Sequence, residues 1–194
     1  MLVWPVRGIK VKDDETLYRE YLQGNEDGLG ELIERYGTRL TLYIHRHIHD
    51  IHDAEDLMID VFAYLSVKKP RIREGAFKAY LYKSAWHASL RFLARNKLRH
   101  CLSLDEIEYE PKSEARADDL AMANERSDLL SLCMERLNPD YRQALYLVYF
   151  KQLRHAEAAE VMGKSEKQIA DLVYRGKKSL LKRLEEEGAV NAEY

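Results

Sequence analysis

The chain has 194 residues, and its 31 Lys and Arg against 33 Asp and Glu leave a formal net charge of −2. That length suits one large domain or two small ones, and the near-neutral total gives no bulk sign of a polyanion partner, so the distribution of charge has to carry any such reading. Four Pro and nine Gly in so charged a chain predict a mainly helical protein. The two Cys, Cys101 and Cys133, exclude a disulfide framework and fit a reducing cytoplasm. No apolar run approaches the roughly 18 residues of a membrane span. The start, MLVWPVRGIKVKDD, holds too short an apolar stretch for a secretory signal.

Residues 1–12 read as an extended leader. Asp13 or Asp14 can cap a first helix that runs to Leu22, with acids in its first turn. Gly24-Asn25 breaks it, and Asn25 can cap a second helix reaching about His49. Leu29, Leu32, Ile33, Tyr36, Leu40, Tyr43 and Ile44 recur there at helical spacing. A turn over 49–52 leads to a third helix, expected to be capped by Asp53, with Leu57, Met58, Val61, Phe62 and Leu65 on its apolar face. Pro70 and Gly75 bracket a basic loop. A fourth helix is expected over about 76–99, with Phe77, Leu81, Ala85, Ala88 and Phe92 facing one way.

From 103 to 125 eight acids face only Lys112 and Arg116, with Pro111 between them. This reads as an acidic linker with little core of its own. A second domain then opens with a helix near 126–137. Asn138-Pro139 supplies an N-cap followed by Pro at the first helical position, and a helix over 140–151 follows. A short helix over 155–162 stops at Gly163. Ser165 caps the last helix, with Gln168 three positions on in capping-box spacing. The expected architecture is all-α: two small helical domains, 13–100 and 126–187, joined by a linker over 101–125 and followed by a tail over 188–194.

Charge is segregated within 53–100. Asp53, Glu55, Asp56 and Asp60 come first. Ten Lys and Arg follow between 68 and 99, interleaved with Phe77, Tyr80, Tyr82, Trp86 and Phe92. Cations with aromatics in one helical stretch suit a polyanion whose bases can stack. Tyr80, Tyr82 and Trp86 are the candidate stacking residues, and Lys78, Lys83, Arg91 and Arg95 the candidate phosphate holders. In the second domain, HAEAAEVMGKSEKQIADLVYRGKKSLLKRL has helix-turn-helix proportions. Its second helix can enter a major groove. Ser165, Glu166, Lys167, Gln168, Ala170 and Asp171 fall at its leading end, while Lys164, Arg175, Lys177 and Lys178 are placed to meet phosphates.

His45, His47, His49 and His52 form the most enzyme-like feature. His45 and His49 stand four apart, a spacing that can bind zinc, but no Glu lies between them in a protease pattern. Cys101 and Cys133 fit no zinc spacing. No phosphate-binding Gly loop or nucleophile motif appears, so no catalytic residue, metal or cofactor is expected.

Two motif sets carry a family resemblance. Asp53-Ala54-Glu55-Asp56-Leu57 with Val61-Phe62 resembles the start of the core-binding helix of sigma factors. Phe77-Lys78-Ala79-Tyr80-Leu81-Tyr82 with Ala85 resembles their promoter-melting helix. Leu137, Pro139 and Tyr141-Arg142 match the opening of the C-terminal sigma domain, and Glu157, Ala159, Glu160 and Gly163 fall where its helix-turn-helix has them. The short two-domain chain looks like the extracytoplasmic-function (ECF) group of the sigma-70 family over about 15–187. It departs in carrying Tyr80 for the usual Trp, Trp86-His87 for Arg-Asn, and Gln168-Ile169-Ala170-Asp171-Leu172 for Thr-Val-Lys-Ser-Arg.

The resemblance implies a transcription initiation factor with two partners, core RNA polymerase and promoter DNA, and allows for an anti-sigma factor. It assigns Asp53, Glu55, Asp56, Leu57, Asp60, Val61 and Phe62 to polymerase, with an acidic rim around an apolar anchor. It assigns Lys78, Tyr80, Tyr82, Lys83, Trp86, His87, Arg91 and Arg95 to the downstream promoter element, and the 164–178 set above to the upstream one. Two alternatives stand beside it: a helix-turn-helix regulator acting without polymerase, and a metal-dependent enzyme built on the His45–His52 cluster.

Overall fold

The computed structural model describes residues 12–102 and 125–187. The expected leader and linker therefore lie almost wholly outside the described residues, and the tail wholly so. The described residues form eight α-helices and one π-helical turn, with no strand among them. By its contacts the chain divides into two compact units, 1–94 and 95–194.

In the first unit, α1 spans Asp14–Leu22. Asp13 caps it, accepting from the Thr16 amide at 2.7 Å, which satisfies one of the four orphan donors of a helix start. Helix α2, Asp27–Ile48, begins after Asn25, whose side chain accepts from the Asp27 amide at 3.2 Å. The two helices are clamped at one end by polar groups. The Asp14 carboxylate accepts from the Arg35 guanidinium and the Tyr36 hydroxyl, and Arg35 also donates to Glu31 at 2.8 Å and to the Lys12 carbonyl at 2.9 Å. At the other end Gly28 is buried, and a Cβ there would collide with the Leu17 carbonyl oxygen and stand 3.2 Å from the Tyr21 amide nitrogen.

Helix α3 spans Ile51–Lys68, and its cap is Asp50 rather than Asp53. Asp50 has the extended backbone that an N-cap requires and accepts from the Asp53 amide at 2.9 Å, so Asp53 sits in the first turn. The turn that frees Asp50 is made by His49, held in the left-handed region at φ 60°. Helix α4 runs Phe77–Leu102. The core is filled by Leu32, Leu40, Tyr43 and Ile44 of α2, Leu57, Phe62 and Leu65 of α3, and Phe77, Leu81 and Tyr82 of α4. Rings join the layers: Tyr18 meets Phe77 at 5.3 Å and Tyr43 meets Tyr82 edge-on at 5.0 Å.

The Tyr18 hydroxyl donates to the Pro70 carbonyl at 2.7 Å, fixing the loop ahead of α4 against α1. Burial pushes this hydroxyl from 10.0 up to about 12. Because the folded value is the raised one, its contribution is complete below the unfolded value and is lost as pH climbs through the folded one. The first unit should therefore weaken between pH 10.0 and about 12, and Tyr18→Phe should flatten that decline in urea midpoints followed by circular dichroism. A Tyr18→Phe protein with the wild-type alkaline slope would exclude this hydroxyl as a source.

In the second unit, α5 covers Glu125–Glu135. Asn138 caps α6, Pro139–Leu145, by accepting from the Asp140 amide at 2.9 Å, with Pro139 at the first position. The helix expected over 140–151 changes register instead. Tyr146–Phe150 is a π-helical turn, closed by Lys151 N–H donating to the Tyr146 carbonyl at 3.0 Å. The extra residue stacks Phe150 on Tyr146 at 5.6 Å and lets Leu147 and Leu153 both reach the core. Helix α7, His155–Met162, ends at Gly163 with φ 64°. Helix α8, Glu166–Glu186, carries a capping box at its start and crosses α6 at Gly176, where a Cβ would come within 3.2 Å of Leu145 and Tyr141.

Candidate functional site

Helix α3 turns Ala54, Leu57, Val61, Phe62 and Leu65 inward, following the 3.6 period. This corrects the expected apolar anchor: Leu57, Val61 and Phe62 are buried in the core and offer no surface. The opposite face carries the acids. Glu55, Asp56 and Asp60 are exposed and Asp53 is half-buried. Burial, followed by the neighbouring Asp50 and Asp56, raises the Asp53 carboxyl above the usual range. Apolar surface on this face comes from residues that the sequence reading passed over: Ile59 is 58% exposed and Val67 76%. Ile59, Ala63 and Val67 recur at four-residue steps, with Asp56 and Asp60, also four apart, alongside them, giving an apolar strip with an acidic edge. The available signal was that 59 and 67 fall out of phase with the core stripe.

Helix α4 places Lys83, His87, Arg91 and Arg95 four residues apart along one exposed face, so three cations and an imidazole form a continuous line. Lys78, Tyr80 and Trp86 are half-buried beside it. Tyr82 is corrected: at 0% exposure, with its ring against Tyr43, it is core and cannot stack on a base. Trp86 has one edge engaged by His47 at 4.8 Å. Tyr80 hydrogen-bonds to Ser84, and burial raises its hydroxyl above the ordinary value. Tyr64, on the neighbouring α3, is exposed and adds an aromatic surface that sequence reasoning missed.

Helix α8 buries Ile169, Val173 and Gly176 and leaves Lys167, Ala170, Asp171 and Tyr174 exposed on the other side. Tyr174, 71% exposed, was not among the expected readers, yet it continues the stripe by helical spacing. Gln168 carries a constraint. Its Oε1 accepts from the Ser165 amide at 2.8 Å while Ser165 Oγ accepts from the Gln168 amide at 3.2 Å. A bidentate contact to adenine needs both ends of the carboxamide, so Gln168 would have to abandon the cap to make one. Glu166, Arg175 and Lys178 are exposed. Lys177 lies 4.8 Å over the Tyr149 ring, and Lys164 pairs with Asp140 at 3.1 Å. Ser165→Ala should cost about 1 kcal/mol of stability, read by thermal unfolding, and an unchanged midpoint would show that the cap is dispensable.

The histidines do not converge. His47 packs edge-on to Tyr43 at 4.9 Å and to Trp86. His49 ends the helix in a left-handed conformation at φ 60°. His52 is exposed, 3.9 Å from Glu55. Among the described residues no group of three or more His, Cys, Asp or Glu is placed to hold a metal ion, and no helix is long and apolar enough to cross a membrane.

The family model for sigma-70 region 2 matches residues 32–99, and that for sigma-70 region 4 matches residues 127–180. The chain belongs to the sigma-70 family. The two matches cover most of it in the order expected from the acidic and basic helices and the helix-turn-helix. Among curated relatives, the ECF RNA polymerase sigma factor SigM of Bacillus subtilis is 26% identical over 152 residues, 78% of this chain and 92% of SigM. The ECF RNA polymerase sigma factor BldN of Streptomyces coelicolor is 26% identical over 163 residues, 83% of this chain and 62% of BldN. These relatives place this sigma factor in the ECF group. Its fold is shared with RpoE of Bartonella quintana, solved with the anti-sigma factor NepR, at a TM-score of 0.63 and 18% identity over 80% of this chain and 96% of that one. It is shared likewise with CnrH, solved with the cytosolic domain of CnrY, at 0.59 and 20% over 89% and 97%.

Proposed function

We propose that this sigma factor binds core RNA polymerase through the acidic face of α3, directs it to promoters with α4 and α8, and assists opening of the duplex. The observation that carries the reading is the joint presence of both sigma regions in one chain. A helix-turn-helix regulator acting alone needs only the second. The line Lys83, His87, Arg91 and Arg95 suits phosphates of the downstream element, and Tyr80, Trp86 and Tyr64 suit unstacked bases, each worth roughly 1–3 kcal/mol when stacked. The exposed stripe on α8 suits the upstream element. The protein acts as an initiation factor, not an enzyme, and works in the cytoplasm. An anti-sigma factor, such as NepR is for RpoE, belongs to the same proposal.

Reconstituted transcription with core polymerase on a library of genomic promoters tests the whole. Initiation at a defined promoter subset is the expected result, and binding to DNA that is indifferent to polymerase would overturn it. The two kinds of contact on α8 separate by salt. Lys167→Ala should change the preferred upstream sequence by about 1–3 kcal/mol at one position. Lys178→Ala should weaken all sequences alike and lower the salt slope by about one phosphate. Selection from randomised upstream DNA that returned one unbiased pool for wild type and Lys167→Ala would remove base reading from this helix.

A further inference from the structure

Asp171 has no structural task in the second unit. It stands two residues from both Ile169 and Val173, which are buried. At about 100° per residue this turns it roughly 200° away from each, and it is exposed. It lies in the second turn of α8, past the first turn where the helix dipole favours an acid, and takes no part in the cap made by Ser165 and Gln168. Lys167 and Arg175 stand four residues before and after it, the spacing of a helical ion pair, yet among the described residues neither closes one with it. It is also the only acid between 167 and 184, a stretch that carries six Lys and Arg. A helix that meets DNA through its cations gains nothing from a carboxylate near the phosphates, which repel it. On the floor of the major groove the same group is an acceptor, and the donors there are the amino groups of cytosine and adenine. Adenine sets its N7 acceptor beside the amino group, while guanine and thymine present acceptors in its place. Cytosine is the base that offers a donor alone.

We propose that Asp171 is a specificity-determining residue of α8, which selects cytosine at one position of the upstream element by accepting from its N4 amino group and rejects guanine and thymine by repulsion between acceptors. The proposal rests on the reading of α8 as the helix that enters the upstream element. Cations that face phosphates attract DNA of any sequence, and Asp171 makes the close approach conditional on the base.

Selection from randomised upstream DNA by the full chain bound to core polymerase tests this, with wild type, Asp171→Asn and Asp171→Ala compared. Wild type should favour cytosine at one position by about tenfold. Asp171→Asn should change that position to adenine, because a carboxamide supplies both a donor and an acceptor. Asp171→Ala should lose the preference there. Both variants should keep the preferences at the remaining positions and melt near the wild-type temperature, since the side chain lies outside the core. No cytosine preference in wild type, or one that survives Asp171→Ala, overturns the inference. So does tighter binding of both variants to all sequences alike, which would make the acid a general brake on DNA affinity. A shift of upstream preference in Lys167→Ala alongside any of these results would leave base reading by α8 intact. Enrichment of no sequence by wild type would overturn that reading together with the inference.

Discussion

Gly28→Ala is expected to destabilise the first unit by about 1–3 kcal/mol, the usual cost of forcing an extra methyl into a packed contact, and the backbone it meets puts the value at the upper end. The obstacle is the Leu17 carbonyl oxygen, with the Tyr21 amide behind it. A side chain could swing aside, but these atoms move only if α1 itself shifts. That shift would pull Asp14 from Arg35 and Tyr36 and Tyr18 from Pro70. Gly30, two residues on in the same helix, meets nothing within 4 Å, so Gly30→Ala should gain roughly 0.5–1 kcal/mol from the lost backbone entropy of glycine. Urea unfolding of the two full-length variants gives the comparison, and two proteins of equal stability would show that the crossing of α1 and α2 is not a close one.

The second large effect is expected at the acidic face of α3. Ile59→Asp should weaken core polymerase binding by 2 kcal/mol or more, the size of an interface hot spot, while leaving the melting temperature near wild type because Ile59 has no place in the core. Asp56→Lys should slow association and make it less sensitive to salt, as loss of an edge charge does. Leu57→Ala makes the contrast: it should cost about 2–5 kcal/mol of stability by opening a cavity and affect polymerase only through unfolding. A folded Ile59→Asp protein with wild-type affinity for polymerase would remove this face from the interface.

Helix positions were largely legible because capping chemistry is local. Asp13, Asn138, Gly163 and the Ser165–Gln168 pair announce helix ends within three or four residues, and each does so in the structure. The α3 cap was misread because Asp50 and Asp53 are both eligible by residue type. The choice between them was made by His49 adopting a left-handed conformation, which composition does not announce. The π-helical turn at Tyr146–Phe150 was not legible either, since its cause is the tertiary demand that Leu147 and Leu153 both be buried. For the candidate site, charge could be read and burial could not. The exposed cations of α4 were identifiable one by one, yet Tyr80 and Tyr82 have the same chemistry two residues apart. Only the rotation of the helix against Tyr43 sends Tyr82 inside. On α3 the apolar stripe of Leu57, Val61, Phe62 and Leu65 was read in phase, and the resemblance then made three of its buried residues a surface anchor while Ile59 and Val67, out of phase with that stripe, went unnoticed.

The reciprocal bonds between Ser165 and Gln168 fix where α8 starts, and Ile169, Val173 and Gly176 fix how it lies. Lys167, Ala170, Asp171 and Tyr174 take part in neither task. Substitutions at such exposed positions usually change stability by no more than about 0.5 kcal/mol. Under the proposed reading, a lineage carrying this domain can exchange one upstream recognition sequence for another by single steps, each leaving a folded protein. The divergence of target genes among descendants is then limited by the promoters that must change in concert, and not by the scaffold that reads them.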